Sequence, residues 1–302
     1  CALPISEFGG YDALEYHLEL PREWFARDGI ATLPHNVYSA FPNFMEGAFL
    51  QLHRLSGLPD PAQAHAKEPQ LLHAMLAVAA AWCVAAVAAE TVRTCGCRAA
   101  DDRTNGERVA RGAALAAFLG IPWVIVTGSL AYDEMAVALF LAGAMLCWTA
   151  RNSSSPARLG IAVGLLLGAA VGAKLTSAGL VVLPFACWAM LWPGTRPSVG
   201  PMLRIGGWAV AVTLAVLVPW LVRNHGATGS WTFPFVVPGL SGTDGAARNG
   251  WWTAEQVARF AAAHAPPAGM PFLDRLTMLW DAAFREGFGT APDADQIGRA
   301  HV

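Results

Sequence analysis

A polytopic, all-α membrane protein is the fold class this sequence predicts, and three observations predict it. Hydrophobic residues make up 55% of the 302 residues and charged residues only 14%, too apolar a balance for a soluble domain. The apolar residues are gathered into runs of span length. The arginines between those runs fall on alternate connectors. A net charge of −2 and a pI near 6.5 leave no basic stripe for phosphate neutralisation, which sets nucleic acid aside as a partner.

In chain order, the two ends come first. CALPIS can be encoded by TGTGCTCTTCCGATCT, and the reverse complement of that DNA encodes most of the terminal QIGRAHV. Residues 1–5 and 296–302 are therefore read as sequencing-adapter artefacts. The rest is expected to be a fragment that lacks an earlier N-terminal helix and a C-terminal portion, and to be inactive by itself. Residues 6–70 read as an extracytoplasmic loop with amphipathic helices, in which Pro21 and Pro42 suit first-turn positions and Gly29 suits a helix stop.

A membrane domain of about six helices follows over residues 71–222, at about 71–90, 110–128, 133–150, 159–173, 175–193 and 205–222. The fourth and fifth are short and abut at Lys174. Residues 223–295 form a second extracytoplasmic segment, with Trp231, Trp251, Trp252 and Trp280 suited to an interfacial belt. Of the six cysteines, Cys83, Cys147 and Cys187 sit inside apolar runs, and Cys95 with Cys97 lacks a second ligand pair. That excludes a disulfide framework and a zinc site.

Orientation comes from Arg93, Arg98, Arg103, Arg108, Arg111, Arg151, Arg158, Arg196 and Arg204, which the positive-inside rule places in the cytoplasm. The loop 6–70, the Tyr132-Asp133-Glu134 turn, the Lys174 turn and the Arg223-Asn224 segment then share the extracytoplasmic face. Ionisable groups are absent from the spans away from their ends, which argues against a transporter or proton relay.

Each candidate has a plain reading and a functional one. Asp12 with Glu15 is a capping box, or a surface carboxylate that serves as general base. His17 is a satisfied structural histidine, or a phosphate or metal contact. Asp133 and Glu134 favour a helix N-terminus, or face a cavity as a carboxylate pair for a metal or for donor hydroxyls. Lys174, one charge in a long apolar stretch, snorkels to the interface or meets a phosphate. Arg223 is an interfacial anchor or a phosphate clamp.

The stretches YDALEYHLELP, HNVYSAFPNFMEG, AYDEMAVALFL, GAKLTSAGLVVLP and PWLVRNHGATGSWTFPF, in that order over most of residues 8–235, resemble bacterial GT-C type glycosyltransferases that use polyprenyl-phosphate sugars. This group includes protein O-mannosyltransferase-like and lipid A aminoarabinose transferase-like enzymes. The resemblance implies a GT-C-like helical bundle in the bacterial inner (plasma) membrane, multi-pass, with its active site on the extracytoplasmic side. It maps an essential loop aspartate onto Asp12, a second acidic position onto Asp133 or Glu134, a basic position onto Lys174, and a Trp-to-Arg-Asn stretch onto Trp220 through Arg223 and Asn224. Two departures stand out: Ala13 follows Asp12, so a carboxylate pair there must borrow Glu15, and Gly229-Ser230-Trp231 replaces a Gly-Asn-Pro.

The expected activity is an inverting transfer from a polyprenyl-phosphate-linked sugar to a hydroxyl of a lipid, glycan or protein acceptor. Asp12 is the base; Glu15, His17, Asp133, Glu134, Lys174, Arg223 and Asn224 bind substrate. A divalent metal is the one cofactor left open. The rival reading is a lipid-linked-oligosaccharide transporter or a non-enzymatic membrane scaffold.

Overall fold

The computed structural model describes residues 12–56, 67–95, 100–192 and 198–234, with seven further residues between 253 and 274. The adapter-like ends, Arg98, Arg196, Cys97 and the tryptophans at 251, 252 and 280 lie outside the described residues. The chain divides into two compact units, Cys1–Arg223 and Asn224–Val302. No strand occurs among the described residues.

In the first unit a π-helical turn, Ala13–His17, closes with the Leu18 amide donating to the Ala13 carbonyl at 2.9 Å. It runs into α1, Glu19–Ala26, with Pro21 in the first turn, where a missing N–H leaves nothing unsatisfied. Leu20 and Trp24 of α1 pack against Leu33 and Leu50, and the Trp24 indole donates to the Ala31 carbonyl at 2.6 Å. The helix stops as the Gly29 amide reaches back to the Trp24 carbonyl and the Asp28 amide to that of Phe25, at 3.0 and 3.1 Å. Gly29 was the expected stop, yet the left-handed residue is Asp28, with φ 53°. Aspartate is one of the few residues with a Cβ that adopts it readily.

A 3₁₀ turn, Val37–Ala40, precedes α2, Phe44–Ser56. Asn43 enters α2 with φ 58°, and its amide donates to the carbonyls of Tyr38 and Ser39 at 3.0 and 3.2 Å. Pro42 lies just outside the helix rather than in its first turn.

All six expected spans are helical, but they are not equal. Three are long and apolar enough to cross a bilayer: α3, Lys67–Cys95; α7, Pro156–Ala173; and α9, Val199–Thr228. Between α3 and α7 come α4, Ala100–Leu119, α5, Pro122–Gly128, and α6, Glu134–Thr149. Thr104–Leu119 and α5, bent by 62° at Gly120-Ile121, pass only as a broken pair. Pro122 sets that break, because it starts a new helix more readily than it continues one. The 16 residues of α6 rise about 24 Å, short of a 30 Å hydrocarbon core. After Lys174 the chain makes a second π-helical turn, Ala178–Val182, before α8, Leu183–Leu191, and this segment is also short. The chain is a multi-pass membrane protein with three self-sufficient spans, or four with the bent pair.

What packs the spans is a glycine stripe. Gly160, Gly164, Gly168 and Gly172 recur every fourth residue along α7. A Cβ on Gly160 or Gly164 would lie 2.6 Å from the carbonyl oxygen of Ile205 or Ala209 of α9, and one on Gly168 would lie 2.9 Å from Val216 Cβ. The two backbones therefore meet directly, the small-residue packing that serves helices in lipid. Gly172 receives the Phe44 ring from α2 instead, 2.5 Å from where a Cβ would be.

In the second unit the Asn224 amide donates to the carbonyls of Trp231 and Phe233 at 3.3 and 3.0 Å. The helix ends at Gly229, whose φ of 76° suits a residue without Cβ. The His225 ring stacks on Trp231 with centroids 4.2 Å apart.

Candidate functional site

The loop before α3, the turn before α6 and the end of α7 meet at one end of the helices of the first unit. Lys174 ends α7 with extended backbone, and its Nζ donates to Asp133 Oδ1 at 3.1 Å and Glu134 Oε1 at 2.6 Å. A snorkelling lysine needs no partner; this one holds two. Burial pulls the Lys174 ammonium toward neutrality, but the two carboxylates outweigh it and hold it charged well beyond the usual range. Burial pushes Asp133 up to about 6 against the pull of Lys174. Neither Asp133 nor Asp12 caps its helix through a side-chain hydrogen bond, so the capping box read for Asp12 and Glu15 is not formed.

The α6 N-terminus is closed from elsewhere. His73 Nε2 of α3 accepts from the Met135 amide at 3.0 Å while Nδ1 lies 2.9 Å from the Thr127 carbonyl. The two contacts together select the Nδ1–H tautomer. The ring satisfies a donor that every helix start leaves over.

His17 is buried, and its Nδ1 lies 2.5 Å from Glu46 Oε1. Burial opposes its charge, but the hydrogen bond and charge of Glu46, reinforced by Asp133 and Glu134, raise its pKa above the ordinary value. The His17 ring lies between Tyr16 and Tyr132, with centroids at 4.1 and 5.3 Å, and Tyr16 stacks on Tyr38 at 4.4 Å. Both Tyr16 and Tyr132 are held neutral, first by burial and then by surrounding carboxylates, Asp12 among them. Asp12 itself is exposed and has no hydrogen-bond or ion-pair partner among the described residues. Glu15 is exposed too, and only its backbone carbonyl is engaged, by the Asn36 amide at 3.0 Å.

Arg223 is held by backbone carbonyls. Its Nη2 donates to the carbonyls of Ser39 and Phe41 at 3.0 and 2.5 Å. One turn earlier, the Trp220 indole donates to the Ala40 carbonyl at 2.6 Å. Together they fasten the 39–41 segment to α9. Asn224 belongs to the second unit, where both its amide hydrogen bonds are spent on the 231–233 turn.

Sequence reasoning singled out Asp12, His17, Asp133, Glu134 and Lys174; the fold brings the last four together, and Asp12 stands exposed at the start of the turn that carries His17. It passed over Glu46 and His73. Glu46 left a signal: with Phe49 and Leu50 three and four residues on, it lies on the buried stripe of α2. His73 left less, being one polar ring near the start of a span. Among the described residues no group of three or more His, Cys, Asp or Glu is arranged to hold a metal ion. No family model, curated protein or solved structure matches the chain.

Proposed function

We propose that the chain is a membrane glycosyltransferase of the GT-C type, moving a sugar from a polyprenyl-phosphate donor to an acceptor hydroxyl on the extracytoplasmic side of a bacterial plasma membrane. The observation that carries this reading is the exposed, unpartnered carboxylate of Asp12, close enough to Tyr16 and Tyr132 for its charge to act on both. A lipid-anchored donor keeps its tail among the spans and presents phosphate and sugar at such a bundle end.

Asp12 takes the acceptor proton as the hydroxyl oxygen attacks the anomeric carbon. The bond from that carbon to the phosphate oxygen breaks on the opposite face, and polyprenyl phosphate leaves with the electron pair. Lys174 meets the developing charge: two of its three N–H donors are fixed by Asp133 and Glu134, and the third is free to reach a phosphate oxygen. Arg223 positions the 39–41 segment, and Glu15 has no role at the reacting centre.

The test is transfer from a polyprenyl-phosphate hexose in proteoliposomes. Asp12→Asn should cut turnover on the order of a hundredfold or more while donor binding stays within about twofold. Unchanged turnover removes the base. Movement of the lipid-linked sugar across the bilayer without transfer favours the transporter reading. A cysteine placed at position 101 should be labelled from the cytoplasmic side, and labelling from outside reverses the orientation.

A further inference from the structure

Among the buried side-chain atoms of the first unit with no hydrogen-bond partner among the described residues are Glu46 Oε2, Glu134 Oε2 and Arg223 Nε. Each belongs to a side chain whose other atoms are already held. His17 fixes Glu46 Oε1 at 2.5 Å, Lys174 fixes Glu134 Oε1 at 2.6 Å, and two carbonyls fix Arg223 Nη2. None can swing to find a partner without giving up a strong contact. Glu46 is only 1% exposed, and a buried carboxylate oxygen in that position needs an explanation.

Contacts connect the three: His17, held by Glu46, has its ring 5.3 Å from Tyr132, next to Asp133 and Glu134 in the chain, and Arg223 holds the Ser39 and Phe41 carbonyls just ahead of α2, which carries Glu46. The charge of Glu46 also acts on Arg223 and Asp133. Two are acceptors and one is a donor, and that mixture selects the ligand. A phosphate offers acceptors only and would face the carboxylates of Glu46, Asp133 and Glu134. A metal ion asks for acceptors only, and no ligand set for one is present among the described residues. A hydroxyl both donates and accepts, so a ring carrying several hydroxyls answers all three atoms, with the faces of Tyr16 and Tyr132 alongside.

Resting on the glycosyltransferase reading, we infer that Glu46, Glu134 and Arg223 Nε bind the hydroxyls of the donor's sugar ring. Lys174 is left to the phosphate.

The experiment measures equilibrium binding to the full chain in lipid nanodiscs. Its probes are farnesyl phosphate and the same lipid with mannose, glucose or arabinose on the phosphate. Glu46→Gln keeps an oxygen for His17 and puts an NH₂ group where Oε2 was, turning acceptor into donor. It should weaken the best sugar-bearing probe about tenfold or more and farnesyl phosphate less than about twofold. Glu134→Gln, at a half-exposed side chain that folding tolerates more easily, should act in the same direction. Equal weakening of both kinds of probe, or none, overturns the assignment and returns Glu46 to holding His17. Wild-type protein that binds all four probes equally overturns only the sugar assignment. Wild-type protein that binds none of them overturns the polyprenyl-phosphate reading along with it.

Discussion

The ammonium of Lys174 lies 2.6 Å from Glu134 Oε1 and 3.1 Å from Asp133 Oδ1, joining the end of α7 to the start of α6 across forty residues of chain. If this cation also meets the donor phosphate, Lys174→Met should lower use of the donor on the order of tenfold to a hundredfold, the worth of a charged hydrogen bond. Arg204→Met, at the exposed far end of α9, should leave it near wild type. Equal effects would make the lysine a structural tie alone.

The same cluster sets a pH dependence of stability. Burial lifts Asp133 from 3.8 to about 6, so between those values the folded state binds a proton more tightly than the unfolded chain. Stability then falls as pH rises through that window, by at most about 3 kcal/mol. His17, raised above 6.5, stabilises fully below that value and loses its contribution as pH rises through the higher folded value. Each contribution is read as the difference between the wild-type and variant unfolding curves in one detergent. Asp133→Asn should flatten the acid part and His17→Gln the part above 6.5.

Gly164 and Gly143 provide a paired test of the packing. A Cβ at Gly164 would meet the Ala209 carbonyl oxygen at 2.6 Å and its Cα at 2.9 Å, both backbone, whereas one at Gly143 would touch the Leu166 methyls at 3.5 Å. Gly164→Ala should therefore cost about 1–3 kcal/mol as α7 and α9 are forced apart. Gly143→Ala should be neutral or stabilising by up to about 1 kcal/mol through helix propensity. Unfolding of the two variants in the same detergent decides, and a tolerated Gly164→Ala would show the contact to be loose.

His73→Leu should cost about 2–4 kcal/mol, because it strips a partner from the Met135 amide and from the Thr127 carbonyl at once. Hydrogen exchange at Met135 reports it directly. That amide should exchange much faster in the variant, and unchanged protection would mean that water or a neighbour takes the place of the ring.

These contacts show where reading the sequence works. Hydropathy placed six helical segments, because burial in lipid is written in composition, and the arginine asymmetry gathered Asp133, Glu134 and Lys174 on one face before any geometry. It overcounted unaided spans, since a 16-residue α6 and the bend at Gly120-Ile121 depend on neighbours to cover them. It missed Glu46 because a lone carboxylate in MEG acquires meaning only once His17, 29 residues away, is folded against it. It left Arg223 between an interfacial anchor and a phosphate clamp, because carbonyl acceptors carry no side-chain signature. The α7 stripe was legible as Gly-xxx-Gly, but its partner α9 was not, since glycine pairs by shape rather than by a complementary residue type.

Arg223 separates positioning from phosphate binding more cleanly than any other residue. Its guanidinium serves the carbonyls of Ser39 and Phe41 from one Nη2, beside the Trp220 tie to Ala40. A lysine carries the same charge and binds phosphate as a point charge, but it lacks the rigid fork. If Arg223 held phosphate, Arg223→Lys would keep most of the donor affinity and leave the 37–41 segment untouched. As a positioning residue it should instead release that segment. We expect faster hydrogen exchange at Phe41 and Ser39, a stability loss of about 1–2 kcal/mol, and weaker binding of a sugar-bearing donor, whose ring loses the Arg223 Nε donor, with farnesyl phosphate bound about as well as by the wild type. Exchange at 37–41 that stays at the wild-type rate would give the arginine back to the phosphate and leave Trp220 to hold the segment alone.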